Sequence, residues 1–231
     1  MKKTFLALLL LGASAGAASA QVEIGLKLSP SITYLRADSP SGTNFQNDKS
    51  KLSLGGGLVV DYFFGQNYAF STGLWLTGKG GTITYTDPGL KVIDPNDPAL
   101  IRKQKIGLQY LEVPISVKLF TNDVATDTKV YFQLGGTVGG LISGRINGEK
   151  RYTDIGNQQE TEAIKHFIIP DAAALIGAGV EYQLGQSTKV FGGLSYHRGL
   201  VNIEKYFDKT RGFKDVTIKN NEVALDLGLK F

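Results

Sequence analysis

After its first twenty positions the chain alternates apolar and polar residues almost throughout, in eight runs. A period of two is the signature of a strand with unlike faces. The first run, VEIGLKLSPSITYL, sets Val22, Ile24, Leu26, Leu28, Ile32 and Tyr34 on one face. The second, LSLGGGLVVDYFF, does so with Leu52, Leu54, Leu58, Val60, Tyr62 and Phe64, and the third, YAFSTGLWLTGKG, with Tyr68, Phe70, Leu74 and Leu76. In the fourth, KIGLQYLEVPISVKLF, the apolar face opens as Ile106, Leu108 and Tyr110, then moves by one to Leu111, Val113, Ile115, Val117 and Leu119. That change of phase predicts a β-bulge at Tyr110–Leu111. Pro114 lies close by, and Pro170 lies in the sixth run; each removes a ladder donor and predicts a bend or bulge. The fifth run carries Val130, Phe132, Leu134, Val138 and Ile142. The sixth carries Ile168, Ala172, Ala174, Ile176, Val180, Tyr182 and Leu184, and the seventh Val190, Leu194 and Tyr196. The last, EVALDLGLKF, carries Val223, Leu225, Leu227, Leu229 and Phe231.

The connections alternate too. Only GQN joins runs two and three, GQS joins six and seven, and TNDVATDT joins four and five. The other four, at 36–51, 86–104, 147–165 and 204–218, are long and polar. Short and long connections taking turns put all the long loops at one end of an antiparallel meander. The expected fold is all-β, an eight-stranded antiparallel up-and-down transmembrane β-barrel, with short periplasmic turns and long extracellular loops.

A soluble, lipocalin-like barrel shows the same periodicity with its apolar face turned inward, so the second face must decide. It carries Glu23, Lys27, Asp61, Lys79, Glu112, Lys118, Arg145, Asp171, Glu181, Asp226 and Lys230, with both signs in similar number. It also carries many glycines, which suit a cramped interior. Aromatics sit near strand ends on the apolar face: Tyr34, Tyr62, Phe64, Tyr68, Phe120, Tyr182 and Phe231. They suit the interfacial girdles of a membrane barrel, and the runs exceed the roughly 9–11 residues a spanning strand needs. Read this way, the eleven charged residues form a network in the lumen. An eight-stranded interior is just wide enough to be filled by side chains. An unpaired ion there costs several kcal/mol. The expectation is a plugged barrel without a pore.

Composition sharpens this. MKKTFLALLLLGASAGAASA has a basic start, a short apolar core and a small-residue ending, the pattern of a signal peptide at 1–20 cleaved after Ala20. The barrel domain then occupies 21–231. The formal net charge of +4 falls to +2 without the two signal lysines, so the basic balance does not point to nucleic acid. There is no cysteine, which excludes disulfides, thiolate metal sites and lipoprotein anchoring. Twenty-nine glycines, with 12 Phe and 10 Tyr, agree with β-structure.

The segment YLEVPISVKLF, Tyr110 to Phe120, resembles the Tyr-Leu-Glu-Ile/Val-Pro stretch of the PorT-like outer-membrane β-barrel family of Bacteroidota. GAGVEYQL at 177–184 and the terminal LDLGLKF look like other parts of that pattern. The resemblance implies an outer-membrane barrel domain and no single activity. The PorT protein itself works in type IX secretion, and nothing here singles out that member.

Candidate chemistry is sparse. Ser195 and His197 share one face of a strand, a fragment of the Ser, His and acid set of an outer-membrane lipid hydrolase, but strand parity turns both toward the lumen. Interior filling is the competing reading, as it is for Trp75 and Phe191. His166 falls at a loop rim. DPNDP at 94–98 lacks the glycine and terminal glutamate of a calcium loop. Lys205, Lys209, Arg211 and Lys214, mixed with Glu204, Asp208 and Asp215, offer phosphate contacts or simply solvated surface. No zinc, P-loop or dinucleotide pattern appears, so neither a cofactor nor catalysis is expected. The expected partners are outer-membrane lipid and lipopolysaccharide, a protein at the loops, and, during insertion, the barrel-assembly machinery. That machinery would read Leu227, Leu229 and Phe231, because a final strand ending in an aromatic is its signal in the outer-membrane barrels this chain resembles. Four functional classes stay open: an interaction protein, a lipid-modifying enzyme, a secretion component and a soluble periplasmic lipid-binding barrel.

Overall fold

The computed structural model describes residues 22–39, 43–87, 101–153, 159–213 and 215–231. The expected signal peptide at 1–20, the DPNDP segment at 94–98 and Lys214 lie outside these residues.

The strands follow one another as β1 (Val22–Asp38), β2 (Gln46–Lys49), β3 (Lys51–Gly65), β4 (Tyr68–Thr86), β5 (Ile101–Phe120) and β6 (Thr128–Ile146). After them come β7 (Arg151–Thr153), β8 (Glu160–Glu162), β9 (Pro170–Gln183), β10 (Lys189–Gly199) and β11 (Thr217–Lys230). Each long strand pairs antiparallel with its neighbours in sequence, and β1 pairs with β11 to close the ring. Gly25 faces Lys230 there, and Ile24 and Phe231 exchange backbone hydrogen bonds of 2.8 and 3.3 Å. The short β2 pairs with the far end of β4, just before β3 begins. It extends the β3 stave, so the barrel has eight. Among the described residues the eight long strands each pair on both sides, which closes the ring as a lipid environment requires.

The staves bear two different faces. Outward side chains are apolar and exposed, such as Leu26 at 58%, Leu54 at 61% and Leu134 at 67%. At about 3.3 Å per residue and a tilt of ~40°, the stretch from Val22 to Ile32 covers roughly 25 Å, the height of a membrane-facing band. Inward side chains divide by height. Through the middle they are charged, and toward the short turns charges are interleaved with aromatic rings. Toward the long loops they are apolar: Leu35, Ile83, Ile106, Leu108, Tyr110, Leu141 and Ile218 form one buried cluster.

This apolar upper interior corrects two sequence expectations. Ile106, Leu108 and Tyr110 face inward, in unbroken phase with Glu112 and Lys118, so β5 has no change of phase at Tyr110–Leu111. The bulge is in the partner strand. Gln109 pairs with Ser143 and Tyr110 with Leu141, which leaves Ile142 of β6 as the extra residue. Beyond it the parity of β6 is reversed. Arg145 therefore stands exposed on the outer wall and is not part of the lumen network, while Ile146 turns inward. Phe120 is also misplaced by the girdle expectation. It is buried at the other end of the lumen with Phe63, Tyr131 and Phe191. Pro114 causes no bulge. The β4–β5 ladder omits the pairs between Ser71–Ser116 and Trp75–Glu112 without changing register, and the Thr72 hydroxyl donates to the Pro114 carbonyl at 2.9 Å. Pro170 opens β9.

The long connections are themselves folded. The third holds the β7–β8 hairpin and a 3-10 turn, Ala163–His166. The fourth holds a short helix, α1 (Tyr206–Arg211). It ends at Gly212, whose φ of 70° is the left-handed cap that glycine takes without strain. Tyr206 and Phe207 of α1 are buried with Phe45, Tyr85 and Phe213 over the barrel mouth. The Phe45 and Tyr85 rings stack at 4.8 Å, and Phe207 meets both edge-on.

Candidate functional site

The interior is the part of the molecule where chemistry converges. Inward positions of neighbouring staves carry opposite charges at matching heights, so ion pairs form across the lumen. At the turn end, Lys230 reaches Asp61 at 2.5 Å, Glu181, and Glu23 at 3.5 Å. Lys118 meets Asp61 at 2.9 Å, the Ser71 hydroxyl donates to the same carboxylate at 2.5 Å, and Lys189 pairs with Glu23 at the rim. In the middle, Lys27 pairs with Asp226 at 3.0 Å, and its ammonium lies 3.3 Å from the centre of the Trp75 ring. That ring also donates from Nε1 to the Leu58 carbonyl at 3.1 Å. Nearest the apolar cluster, Lys79 lies between Glu112 at 2.5 Å and Asp171 at 3.2 Å. Asn220 donates to Asp171 at 3.0 Å and to the Tyr110 hydroxyl at 3.3 Å.

Ten of the eleven residues singled out from the sequence thus meet inside: Glu23, Lys27, Asp61, Lys79, Glu112, Lys118, Asp171, Glu181, Asp226 and Lys230. Arg145 is the exception, displaced by the bulge at Ile142. Sequence reasoning passed over Glu222, Asn220 and Lys189. Glu222 and Asn220 share the parity of Asp226 and Lys230 along β11, which is the signal that identifies them. Lys189 opens β10 beside the short GQS turn.

Glycine gives the larger rings their room. A Cβ on Gly179 or Gly193 would lie 2.5 Å from the Tyr131 hydroxyl oxygen. Phe191 fills the space that a side chain at Gly228 would need. Among the described residues, rings and ion pairs pack against one another at this level of the lumen.

Ser195 and His197 are buried in this interior, with Ser195 Oγ 3.3 Å from His197 Nε2. The Trp75 ring meets the imidazole edge-on at 6.2 Å. The pair is therefore remote from the lipid-facing wall. Trp75 and Phe191 likewise pack inside. Among the described residues no group of acidic and histidine side chains is placed to hold a metal ion.

The loop residues are more dispersed. His166 stacks on Tyr206 at 4.3 Å and bonds Thr161 at 2.5 Å. Arg211 pairs with Asp87 at 2.6 Å, tying the fourth loop to the end of β4. Lys205, Lys209, Asp208 and Asp215 are exposed. Glu204 is buried and accepts the Phe207 backbone N–H at the start of α1. Burial there pushes its carboxyl up to about 7 against the pull of that N–H. Leu227, Leu229 and Phe231 face outward on the final stave and are exposed at 43, 42 and 61%.

Comparison with solved structures gives outer-membrane barrels. The outer-membrane protease OmpT of Escherichia coli aligns over 93% of this chain and 97% of its own, at 9% identity and a TM-score of 0.51. OprG of Pseudomonas aeruginosa aligns over 90 and 95%, at 12% identity and 0.47. The Neisserial surface protein A aligns over 92 and 97%, at 12% identity and 0.44. At such identities the likeness to OmpT is one of fold. No curated protein sequence matches the chain. Residues 14–205 match the family described as outer membrane protein beta-barrel domain, and with most of its length covered this chain belongs to that family.

Proposed function

We propose that this outer-membrane barrel is a plugged, non-catalytic protein that acts through its four long extracellular connections, as a structural or interaction element. One observation carries the reading. The lumen is filled with paired charge and covered by folded loop segments, so neither passage nor a reacting centre is offered there. What remains for recognition is the loop surface around α1 and the β7–β8 hairpin. On this reading the chain is exported by its signal, loses residues 1–20 and inserts into the outer membrane. It contacts lipid and lipopolysaccharide along its belt, no nucleic acid, and a protein partner at the loops. The barrel-assembly machinery would recognise the stave ending in Leu227, Leu229 and Phe231.

The test combines fractionation with conductance. The mature protein should sediment with outer membranes and run faster on gels unboiled than boiled. In planar bilayers it should give no large, stable conductance. Release with soluble periplasm would end the membrane reading, and a steady large conductance would end the plugged one.

A PorT-like role in secretion, within Bacteroidota, is the second reading. It is favoured by YLEVPISVKLF, which supplies most of β5. Co-purification with trans-envelope secretion components would select it. A lipid-modifying enzyme finds less support, since Ser195 and His197 point away from lipid. Deleting the gene should leave the lipid A profile unchanged.

A further inference from the structure

The bulge that expels Arg145 from the lumen delivers it to a place with other cations. Arg145 of β6 pairs across the ladder with Gly107 of β5. Lys105, two residues from Gly107, is exposed on the same outer face. Its backbone is clamped to Asn147, which donates its N–H to the Lys105 carbonyl at 2.7 Å and accepts the Lys105 N–H on Oδ1 at 2.9 Å. Lys51, at the start of β3, approaches from the other side. Its ammonium donates to the Lys79 carbonyl at 3.4 Å and lies 3.5 Å from where a Cβ on Gly107 would stand. Glycine at 107 leaves the floor open. The result is a cavity of about 320 Å³ lined by Lys51, Lys105, Gly107, Gln109, Ser143 and Arg145.

Two features suit this cavity to an anion. Among the described residues, none of the three cations has a carboxylate partner, although Lys103 next to them pairs with Asp48 at 2.5 Å. And the lining, which also includes Ile106, Leu108 and two glycines, adds two neutral hydrogen-bonding side chains, Gln109 and Ser143, and no acidic one. A guanidinium fork flanked by two ammonium groups matches a phosphate.

Height says where the phosphate comes from. Directly below the cavity the wall turns apolar: Leu52 is 82% exposed, Leu111 43% and Ile142 51%. Gly107 is four residues above Leu111, or about 10 Å along the membrane normal at the usual rise and tilt. That is the headgroup layer. A free anion needs no apolar surface beneath it, whereas a lipid uses both.

We propose that the cavity formed by Lys51, Lys105 and Arg145 binds the phosphate of an outer-leaflet glycolipid, with its acyl chains lying on Leu52, Leu111 and Ile142. The inference rests on the outer-membrane reading above and adds a specific lipid site to it.

The test uses the full mature barrel in detergent and native mass spectrometry. The probes are phosphorylated lipid A, the same lipid with its phosphates removed, and inorganic phosphate as competitor. The unaltered barrel should retain the phosphorylated lipid and not the dephosphorylated one. A cation facing an anionic membrane is worth roughly fivefold in affinity, so Lys105→Gln with Arg145→Gln should weaken retention by roughly 25-fold. Both side chains are exposed, and an unchanged heat-dependent gel shift confirms that the variant is folded. Lys51→Gln, on a half-buried side chain, is the third arm. Equal retention of both lipids, or retention unaffected by the double change, overturns the proposal. Displacement by millimolar phosphate alone would also overturn it, by making this a free-anion site. If the protein does not fractionate with outer membranes at all, the underlying reading fails first, and that result is scored separately.

Discussion

Lys230 is the residue on which the turn end of the lumen depends, because one ammonium answers three carboxylates. Removing it leaves Asp61, Glu181 and Glu23 competing for Lys118 and Lys189. Breaking a buried pair from one side costs about 3–5 kcal/mol, so Lys230→Met should lower barrel stability by that much in urea titrations of the refolded protein. Adding Asp61→Asn should bring a smaller loss than the two changes summed, since they share one interaction. Glu204 gives a pH signature of the opposite kind. Its carboxyl titrates near 7 when folded against 4.5 in its reference state, so the folded fourth loop holds its proton more tightly than the unfolded loop does. The stabilisation is complete below about 4.5 and is lost as pH rises through 7. Protection factors from hydrogen exchange across residues 203–213, with the base-catalysed intrinsic rate divided out, should therefore be higher at pH 5 than at pH 8. In Glu204→Gln the difference should shrink, and an unaltered pH dependence in that variant would assign it to another group.

At the scale of the element, β6 shows both what alternation reveals and where it stops. Outward Phe132, Leu134 and Val138 were legible because one face of that stretch is apolar and the other is glycine and polar. The reading fails where the interior becomes apolar as well. On β5, Ile106, Leu108 and Tyr110 look like a lipid face, yet their outward neighbours Lys105 and Gln109 meet headgroups and water. A period of two cannot say which of two apolar environments a side chain occupies. The change of phase was therefore read into β5, when it belongs to β6 at Ile142. The lumen charges survived because most lie below this level; Arg145 lies above it and did not. The folded loops were hidden for a related reason: α1 and the β7–β8 hairpin are too short to show periodicity, and tertiary contacts hold them. Deleting Ile142 should remove the bulge and leave Arg145 outward and Ile146 inward, because the Tyr110–Leu141 and Gln109–Ser143 pairs then become consecutive in both strands. Because the chain has no cysteine, Arg145→Cys provides a clean probe. It should react with a membrane-impermeant maleimide both in the otherwise unaltered protein and in the deletion. Protection in the deletion would mean that Ile142 is not the extra residue and would place the change of parity elsewhere.

The whole molecule is three stacked zones within one wall: charged filling, apolar filling and a folded cover. The outside is zoned to match, with lipid-facing carbon below and the Lys51–Lys105–Arg145 cavity above it. The family fold and the interior were largely readable from residue parity. The use made of the outer surface was not, because it depends on side chains from three staves meeting, and their separation in sequence, from 51 to 145, carries no pattern. The pairing of β1 with β11 has a consequence in time. The contact between Gly25 and Lys230 joins the first stave to the eighth, so the ring stays open until β11 has been made. Until then every partial sheet carries two unsatisfied edges that lipid cannot tolerate and that invite other chains. Assembly is therefore late and close to all-or-none. On the proposed export route the chain would cross the periplasm with its lipid-seeking residues exposed, and its survival there would be decided by how well it is kept unfolded.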